Sequence, residues 1–261
     1  MQHILTKTEN AIVIITMNRP DVHNAFNEEV IAELTQAFEK VGADASVRAV
    51  VLRGNGKSFC AGGDLNWMCK VADYSFDENV TDAMALGTLL KTINTLPKPT
   101  IALVQGSAFG GGVGLAACCD IAIAEEDAQF CLSEVRIGII PSIIAPYVIT
   151  AIGERQARRY FMTAERIDAE TAKHIGLAHE VCSKGELDAA LEKILAALWN
   201  GAPAAQARGK KLILEISKRK VDDDLVRLTS ERIAEARASD EGREGLSAFL
   251  NKTEPGWRKK S

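Results

Sequence analysis

The chain has 261 residues, of which 47% are hydrophobic and 25% charged, a composition typical of folded globular proteins and not of disordered ones. Its formal net charge of -4 argues against a general attraction to nucleic acid phosphates. The six cysteines have no Cys-x-x-Cys spacing, no apolar run reaches the length of a membrane span, and the first residues form no basic and apolar leader. We therefore expect a cytoplasmic protein with reduced cysteines and no metal, whose partner is a small molecule rather than nucleic acid or a membrane.

The first half of the chain predicts alternating strands and helices. Continuous apolar, β-branched runs predict strands at 11–17, 49–52, 100–104 and 120–124. Apolar residues at helical spacing, or small residues after a glycine-rich turn, predict helices at about 27–41, 80–96 and 112–119. Alternation of this kind predicts an α/β fold.

Beyond Pro141 the pattern becomes helical. Helices are predicted at 145–152, 154–162, 169–175, 187–199, 203–216, 222–237 and 240–249, and one strand at 178–181. No Gly/Ser-rich linker separates this part from the rest. The sequence therefore predicts a core over residues 1–195 and a helical C-terminal extension over residues 196–261 within the same folding unit.

Two glycine-rich turns, 61–64 and 110–114, each lie where a buried strand gives way to a helix. Glycine permits positive φ and lets a ligand approach the main chain closely. Two such turns can direct two backbone N–H groups at one carbonyl oxygen, as an oxyanion hole does. The alternative, about equally favoured by these turns alone, is that each glycine only lets a helix pack tightly on a strand. The second turn lacks the G-x-G-x-x-G order and a following Gly-Lys-Ser/Thr, which argues against a dinucleotide site or a P-loop.

Motifs over nearly the whole chain resemble the crotonase, or enoyl-CoA hydratase/isomerase, superfamily. They are Arg19-Pro20 with Asn24-Ala25, Ser58 to Leu65, Gly106 to Gly112, Cys119-Asp120, and Leu132 to Val135 with Gly138 and Pro141. The resemblance implies a spiral of repeated ββα units. It also implies a helical C-terminal region used in trimerisation, and a homotrimer or a hexamer made of two trimers.

The resemblance also implies roles for individual residues around an acyl-CoA thioester, with coenzyme A as part of the substrate and no separate cofactor. The N–H groups of Ala61 and Gly111 would bind the thioester oxygen. The residues expected near CoA or the acyl group are Val22, His23, Ala25, Ala61, Gly63, Asp64, Leu65 and Phe109. Phe249 and Lys252 match positions that in some relatives reach the CoA of a neighbouring subunit.

Glu134 matches the glutamate that hydratases and isomerases of this superfamily use as acid and base. It lies in an otherwise apolar stretch, and burial there would raise its pKa toward neutrality. The alternative reading of Glu134 alone is a surface acid paired with Arg136. The second glutamate of well-studied hydratases would fall at Gly114, which has no side chain, so a mechanism with two carboxylates is in doubt.

Three segments are similar to the bacterial 3-methylglutaconyl-CoA hydratase group and its isohexenylglutaconyl-CoA relatives. They are residues 63–68, 141–147 and 157–161. This resemblance predicts a hydratase acting on a branched enoyl-CoA in leucine or acyclic terpene breakdown, whose substrate carries a distal carboxylate. A Δ3,Δ2-enoyl-CoA isomerase with a single glutamate and a non-catalytic acyl-CoA-binding protein remain open alternatives.

Overall fold

The computed structural model describes residues 3–258. The chain divides into two compact units, Met1–Leu191 and Glu192–Ser261. The division falls inside a helix close to the predicted boundary at residue 195, and the prediction of one folding unit stays a prediction.

Nine strands are formed within the described residues. They are β1 (Ile4–Glu9), β2 (Ile12–Met17), β3 (Ala49–Gly54), β4 (Thr100–Val104), β5 (Ser107–Phe109), β6 (Ile121–Glu125), β7 (Gln129–Cys131), β8 (Ile167–Asp168) and β9 (Glu180–Cys182). Six of them form a sheet in the order β1-β2-β3-β4-β6-β9, in which β1 and β2 pair antiparallel and the other neighbours pair in parallel. A second sheet has the order β5-β7-β8.

The same part of the chain contains ten α-helices. They are α1 (Glu28–Ala43), α2 (Leu65–Val71), α3 (Phe76–Thr95), α4 (Gly111–Cys118), α5 (Ala145–Thr163), α6 (Ala169–Ile175), α7 (Leu187–Asn200), α8 (Pro203–Ile216), α9 (Asp223–Ala238) and α10 (Asp240–Leu250). Strands and helices alternate through the first unit, which confirms the predicted α/β fold. None of the helices within residues 3–258 combines the length and the apolar character needed to cross a membrane.

The core of the first unit lies between the larger sheet and its helices. Helices α1 and α3 contact each other and bury Leu34 and Phe38 from α1, and Leu90 and Ile93 from α3. Each side chain of this size contributes roughly 1.5–3 kcal/mol when it is fully buried. Polar caps fix where the helices begin: Asn27 accepts a hydrogen bond from the backbone of α1, and a capping box opens α3.

Short or exposed strands differ from the sequence prediction. Strand β1 was not predicted because only its first residue, Ile4, is buried. Strand β5 lies between the predicted strand at 100–104 and the glycine-rich turn at 110–114 and was not predicted, and β7 and β8 were also missed. With two or three residues each, these strands are too short to show a period. The helices predicted at 145–152 and 154–162 meet at Gly153, whose φ of 75° interrupts α5.

The second unit contains α8, α9 and α10. An ion pair between Arg232 and Glu215, 2.8 Å long, joins α9 to α8. Large apolar side chains of these helices are exposed; they are Ile213, Leu214, Val226, Ile233, Leu246, Phe249 and Leu250. Apolar surface of this extent is typical of a contact with another molecule.

Candidate active site

The first glycine-rich turn is fixed by an aspartate that caps the helix following it. Asp64 accepts hydrogen bonds from the backbone N–H groups of Asn66 and Trp67, at 2.8 and 3.4 Å, and so caps α2. Arg19 Nη2 donates to Asp64 Oδ2 at 2.9 Å. Burial alone would raise the pKa of Asp64, but the hydrogen bonds from Asn66, Arg19 and Trp67 outweigh it and hold that pKa below its usual value. The turn between Ala61 and Asp64 therefore has a fixed end.

The N–H of Ala61 is already used in this turn. It donates to the carbonyl oxygen of His23 at 2.9 Å. The Gly63 N–H has no hydrogen-bond partner among residues 3–258, whereas its neighbours Gly62 and Asp64 bridge to Phe26 through their carbonyl and N–H groups, both at 2.9 Å. In this structure the Ala61 N–H is therefore occupied, and Gly63 carries the unpartnered N–H of this turn among the described residues.

The second turn leaves the first amide of α4 free. Gly110 has a φ of 51°, and its N–H donates to the carbonyl oxygen of Cys131 at 2.8 Å. Gly111 then begins α4, and the first N–H groups of a helix have no partner within the helix. No bond from the Gly111 N–H occurs in the described chain. The Gly111 amide is thus the free donor of the second turn.

Close packing joins the two turns, because Phe26 pairs with Gly63 through its backbone and packs against Gly111 through its ring. Phe26 bridges Gly63, and a Cβ built on Gly111 would lie 2.3 Å from Phe26 Cζ. A Cβ on Gly112 would lie 2.4 Å from the carbonyl oxygen of Cys60. No side chain fits at these positions without movement. The glycines therefore allow tight packing, and two N–H groups of these turns have no partner among the described residues.

Glu134 lies beside the second turn. It begins a short 3-10 helix, Glu134–Ile137, and its Oε1 is 3.3 Å from the position of a Cβ built on Gly110. Its Oε2 is buried and has no hydrogen-bond partner within the described chain. Burial raises the pKa of Glu134, although a backbone hydrogen bond within the same residue opposes the shift. A buried carboxylate with a raised pKa can accept and return a proton.

The alternative pairing of Glu134 with Arg136 is not formed. Arg136 is exposed, and its Nη2 donates to the carbonyl oxygen of Ala164 instead. No ion pair between Glu134 and any cation is found among residues 3–258. Glu134 therefore has no fixed counter-charge among the described residues.

There is no space for a second carboxylate at position 114. A Cβ built on Gly114 would lie 2.2 Å from Ile144 Cγ2, and Ile144 is almost completely buried at the start of α5. The site therefore offers one carboxylate, Glu134, and two free amides.

Most of the other predicted binding residues surround the first turn. Val22 ends a short 3-10 helix, and His23 follows it with a φ of 52° and its ring Nδ1 3.0 Å from Ser58 Oγ. Ala25 is buried, whereas Leu65 is 78% exposed at the start of α2.

The remaining predicted binding residues lie elsewhere. Phe109 ends β5, directly before the second turn. Phe249 and Lys252 belong to the second unit, where Phe249 is 81% exposed near the end of α10.

Sequence reasoning missed the side chains that support the turns. The Phe26 ring is tilted against Trp67 with the ring centroids 5.9 Å apart, and Trp67 Nε1 donates to Asp82 at 3.0 Å. Arg19 was noted only as part of a motif, and its partner Asp64 is distant in sequence. Among the described residues no cluster of His, Cys, Asp or Glu is placed to hold a metal ion.

Comparison with known proteins gives consistent matches over the chain. The family model for enoyl-CoA hydratase/isomerase matches residues 7–260. A solved structure of an enoyl-CoA hydratase from Shewanella pealeana is similar with a TM-score of 0.96 at 43% identity, covering 98% of this chain and 96% of that chain. Pseudomonas aeruginosa AtuE is similar with a TM-score of 0.94 at 39% identity, covering 99% and 100%. The short-chain-enoyl-CoA hydratase of Clostridium acetobutylicum is 30% identical and covers 97% of this chain and 96% of its own length.

Proposed function

The chain belongs to the enoyl-CoA hydratase/isomerase family and has its α/β crotonase fold, and on that premise we propose that it hydrates a branched enoyl-CoA, with 3-methylglutaconyl-CoA as the substrate. The branched substrate rests on the similarity of residues 63–68, 141–147 and 157–161 to methylglutaconyl-CoA hydratases. Leucine or acyclic terpene breakdown would supply such an ester.

In the proposed reaction the free amides of Gly63 and Gly111 bind the thioester oxygen. Water adds to Cβ while Glu134 takes its proton, and the electron pair of the double bond moves through Cα onto the thioester oxygen. The enolate then collapses as Glu134 returns the proton to Cα, so the net change is the addition of one water. Each amide is worth roughly 2.7–4 kcal/mol to the enolate-like transition state, on the scale measured for donors in oxyanion holes.

The observation that carries this proposal is the buried Glu134 Oε2 without a partner. Leaving a buried acceptor unpaired costs about 1–3 kcal/mol, and more for a charged group. Groups held in such an unfavourable state are common at active sites. A water or an acyl Cα beside the second turn would supply the missing partner during the reaction.

The second candidate function is Δ3,Δ2-enoyl-CoA isomerisation. It is supported by the packing of Ile144 against Gly114, which leaves one carboxylate at the site. A single base can move a proton from one carbon of the acyl chain to another. Isomerisation and hydration share the enolate and its two donors, and they differ in whether water adds.

The proposal includes assembly of the chain into a trimer or a dimer of trimers. The exposed apolar side chains of α8, α9 and α10 support it, because surface of this kind is covered in stable assemblies. In such an assembly Phe249 and Lys252 would hold the CoA of a neighbouring subunit, while Val22, His23, Ala25 and Leu65 would hold it within the subunit.

The test incubates the purified protein with 3-methylglutaconyl-CoA and with crotonyl-CoA and follows the products by mass. We expect a gain of one water on the branched ester and little on the straight one. Glu134→Gln should lose turnover by a factor of about 100 to 10,000, the usual range for a general acid or base, and still bind CoA esters. Conversion without a gain in mass would favour isomerisation. Turnover retained in Glu134→Gln would contradict the mechanism.

A further inference from the structure

One arginine beside the site has no role in the mechanism above. Arg166 lies one residue before β8, and its guanidinium carbon is 5.8 Å from the centre of the Phe109 ring. Its side chain is exposed, and no hydrogen bond or ion pair to it occurs within residues 3–258. The planar guanidinium can pair bidentately with a carboxylate or a phosphate, so Arg166 is available to bind such a group of a ligand.

The small sheet explains how Arg166 reaches the site. Ala108, Phe130 and Ile167 are paired across β5, β7 and β8, and all three are buried in the core. Successive side chains of a strand point to opposite faces. The next positions along the three chains, Phe109, Cys131 and Arg166, therefore lie together on the other face.

This row of side chains begins at the catalytic turn. Phe109 directly precedes Gly110, beside which the Glu134 carboxylate lies, and its partner Cys131 lies three residues before Glu134. Neighbouring strands are about 4.8 Å apart, so Arg166 lies two strand spacings, roughly 10 Å, from the strand that leads into the second turn. A short acyl chain that starts at the two amides can cover such a distance together with an arginine side chain.

The electrostatic surroundings of Cys131 agree with this placement. Burial raises the pKa of the Cys131 thiol; Arg136 and Arg166 oppose that shift, and Glu134 adds to it. Cys131 thus lies within reach of both Glu134 and Arg166. Arg166 is absent from the causes that shift the pKa of Glu134, whereas a direct ion pair would lower that pKa. Of these two arginines, Arg136 donates a hydrogen bond to the carbonyl oxygen of Ala164. Arg166 has no such bond among the described residues, so its donors are available to a ligand.

We propose that Arg166 selects acyl-CoA esters whose acyl chain ends in a carboxylate, by pairing its guanidinium with that carboxylate beside the Phe109 ring. This inference rests on the proposed function for the position of the thioester. An aliphatic acyl chain would give the guanidinium no partner, whereas a dicarboxylic acyl group would supply one with bidentate geometry. The other anion on the same ligand is a phosphate of CoA, and the test separates the two.

The test measures binding of two saturated esters of equal chain length, glutaryl-CoA and pentanoyl-CoA, by titration calorimetry. Neither ester can be hydrated, so the result does not depend on turnover. We expect the full-length protein to prefer glutaryl-CoA. In Arg166→Gln, affinity for glutaryl-CoA should fall by about 10- to 100-fold, as for the loss of a charged hydrogen bond, and affinity for pentanoyl-CoA should change less than about two-fold.

Two further variants test whether the effect on affinity comes from the guanidinium of Arg166. Arg166→Lys keeps the charge without the planar fork and should retain part of the preference. Arg155→Gln removes an exposed arginine of α5 and should change neither affinity. Equal weakening of both esters in Arg166→Gln would assign Arg166 to a CoA phosphate and overturn the proposal, as would unchanged binding of glutaryl-CoA. If neither unsaturated ester gains water while the glutaryl preference is lost as expected, the proposed hydration fails and this inference stands.

Discussion

The burial that raises the pKa of Glu134, and so suits it to the proposed proton transfer, also makes its ionised form unfavourable in the folded protein. The Glu134 side chain lies half-buried beside Gly110, its buried Oε2 has no partner among the described residues, and burial raises its pKa. The folded state therefore binds the proton of Glu134 more tightly than the unfolded state does. The contribution of Glu134 to the free energy of unfolding is then fully present below the ordinary glutamate pKa and is lost as the pH rises through the raised one.

We therefore expect Glu134→Gln to be more stable than the unchanged protein at pH 7. The variant has no charge to bury, and its advantage should shrink as the pH falls toward 4.5, the ordinary value. Thermal unfolding at a series of pH values measures the difference. Glu154→Gln, an exposed glutamate of α5, is the control and should show no such trend. A Glu134→Gln variant that is less stable at pH 7 would contradict the account of the buried charge.

Some of the candidate site residues could be predicted from the sequence and others could not. Glu134 could be selected because a lone acid in an apolar stretch is unusual, and the resemblance gave it a role. The choice between Ala61 and Gly63 could not be made, because it depends on a hydrogen bond from Ala61 to His23 across the fold. Arg166 gave no signal, since its neighbour Phe109 is far away in sequence.

At the level of elements, the start of α4 and the Phe26 ring pack directly against each other. Phe26 bridges the first turn through its backbone and contacts the second through its ring. The long apolar strands β2, β3 and β4 were predicted because their residues are mostly buried. The short strand β5, which aligns the two turns, carries too few residues for a pattern, and its pairing exists only in the folded chain.

We expect Gly111→Ala to lower kcat/KM by about 100-fold, the loss found when one oxyanion donor is removed. The added Cβ would collide with Phe26 and displace the Gly111 amide. Steady-state kinetics of Gly111→Ala, Phe26→Leu and the double variant form a cycle. A smaller side chain at position 26 should restore part of the activity to Gly111→Ala.

The control for this cycle is Gly209→Ala in α8. A Cβ there has open space, so activity should be unchanged and stability should rise by about 0.5–1 kcal/mol. Strictly additive losses in the cycle would mean that Phe26 does not position the second turn.

At the level of the whole molecule, the proposed assembly makes CoA binding depend on the C-terminal residues. Phe249 is exposed near the end of α10, and Lys252 follows with a φ of 54°. An exposed aromatic ring and a cation suit the adenine and the phosphates of CoA. The second unit was predicted as helical from its apolar spacing, but which of its faces another chain covers is not encoded in that spacing.

A truncation after Ala248 tests this dependence. We expect it to weaken the binding of CoA esters by about 10-fold or more, measured by titration calorimetry, because it removes both proposed contacts. Glu254→Gln, which changes an exposed polar side chain of the same removed segment, should keep the affinity of the full chain. Sedimentation of each variant reports whether the assembly is retained. Unchanged affinity after truncation would remove Phe249 and Lys252 from the binding site.

The packing of Ile144 on Gly114 also restricts how this enzyme could change its chemistry over evolutionary time. A glutamate introduced at position 114 would meet Ile144 at 2.2 Å from its first carbon. If Ile144 were shortened first, the cavity would cost about 2–5 kcal/mol before any benefit appeared. In either order, the first of the two substitutions gives a protein that is destabilised, by a steric clash or by a cavity. Under the proposed mechanism, a lineage with this pair of residues is therefore limited to one catalytic carboxylate by epistasis between the two positions.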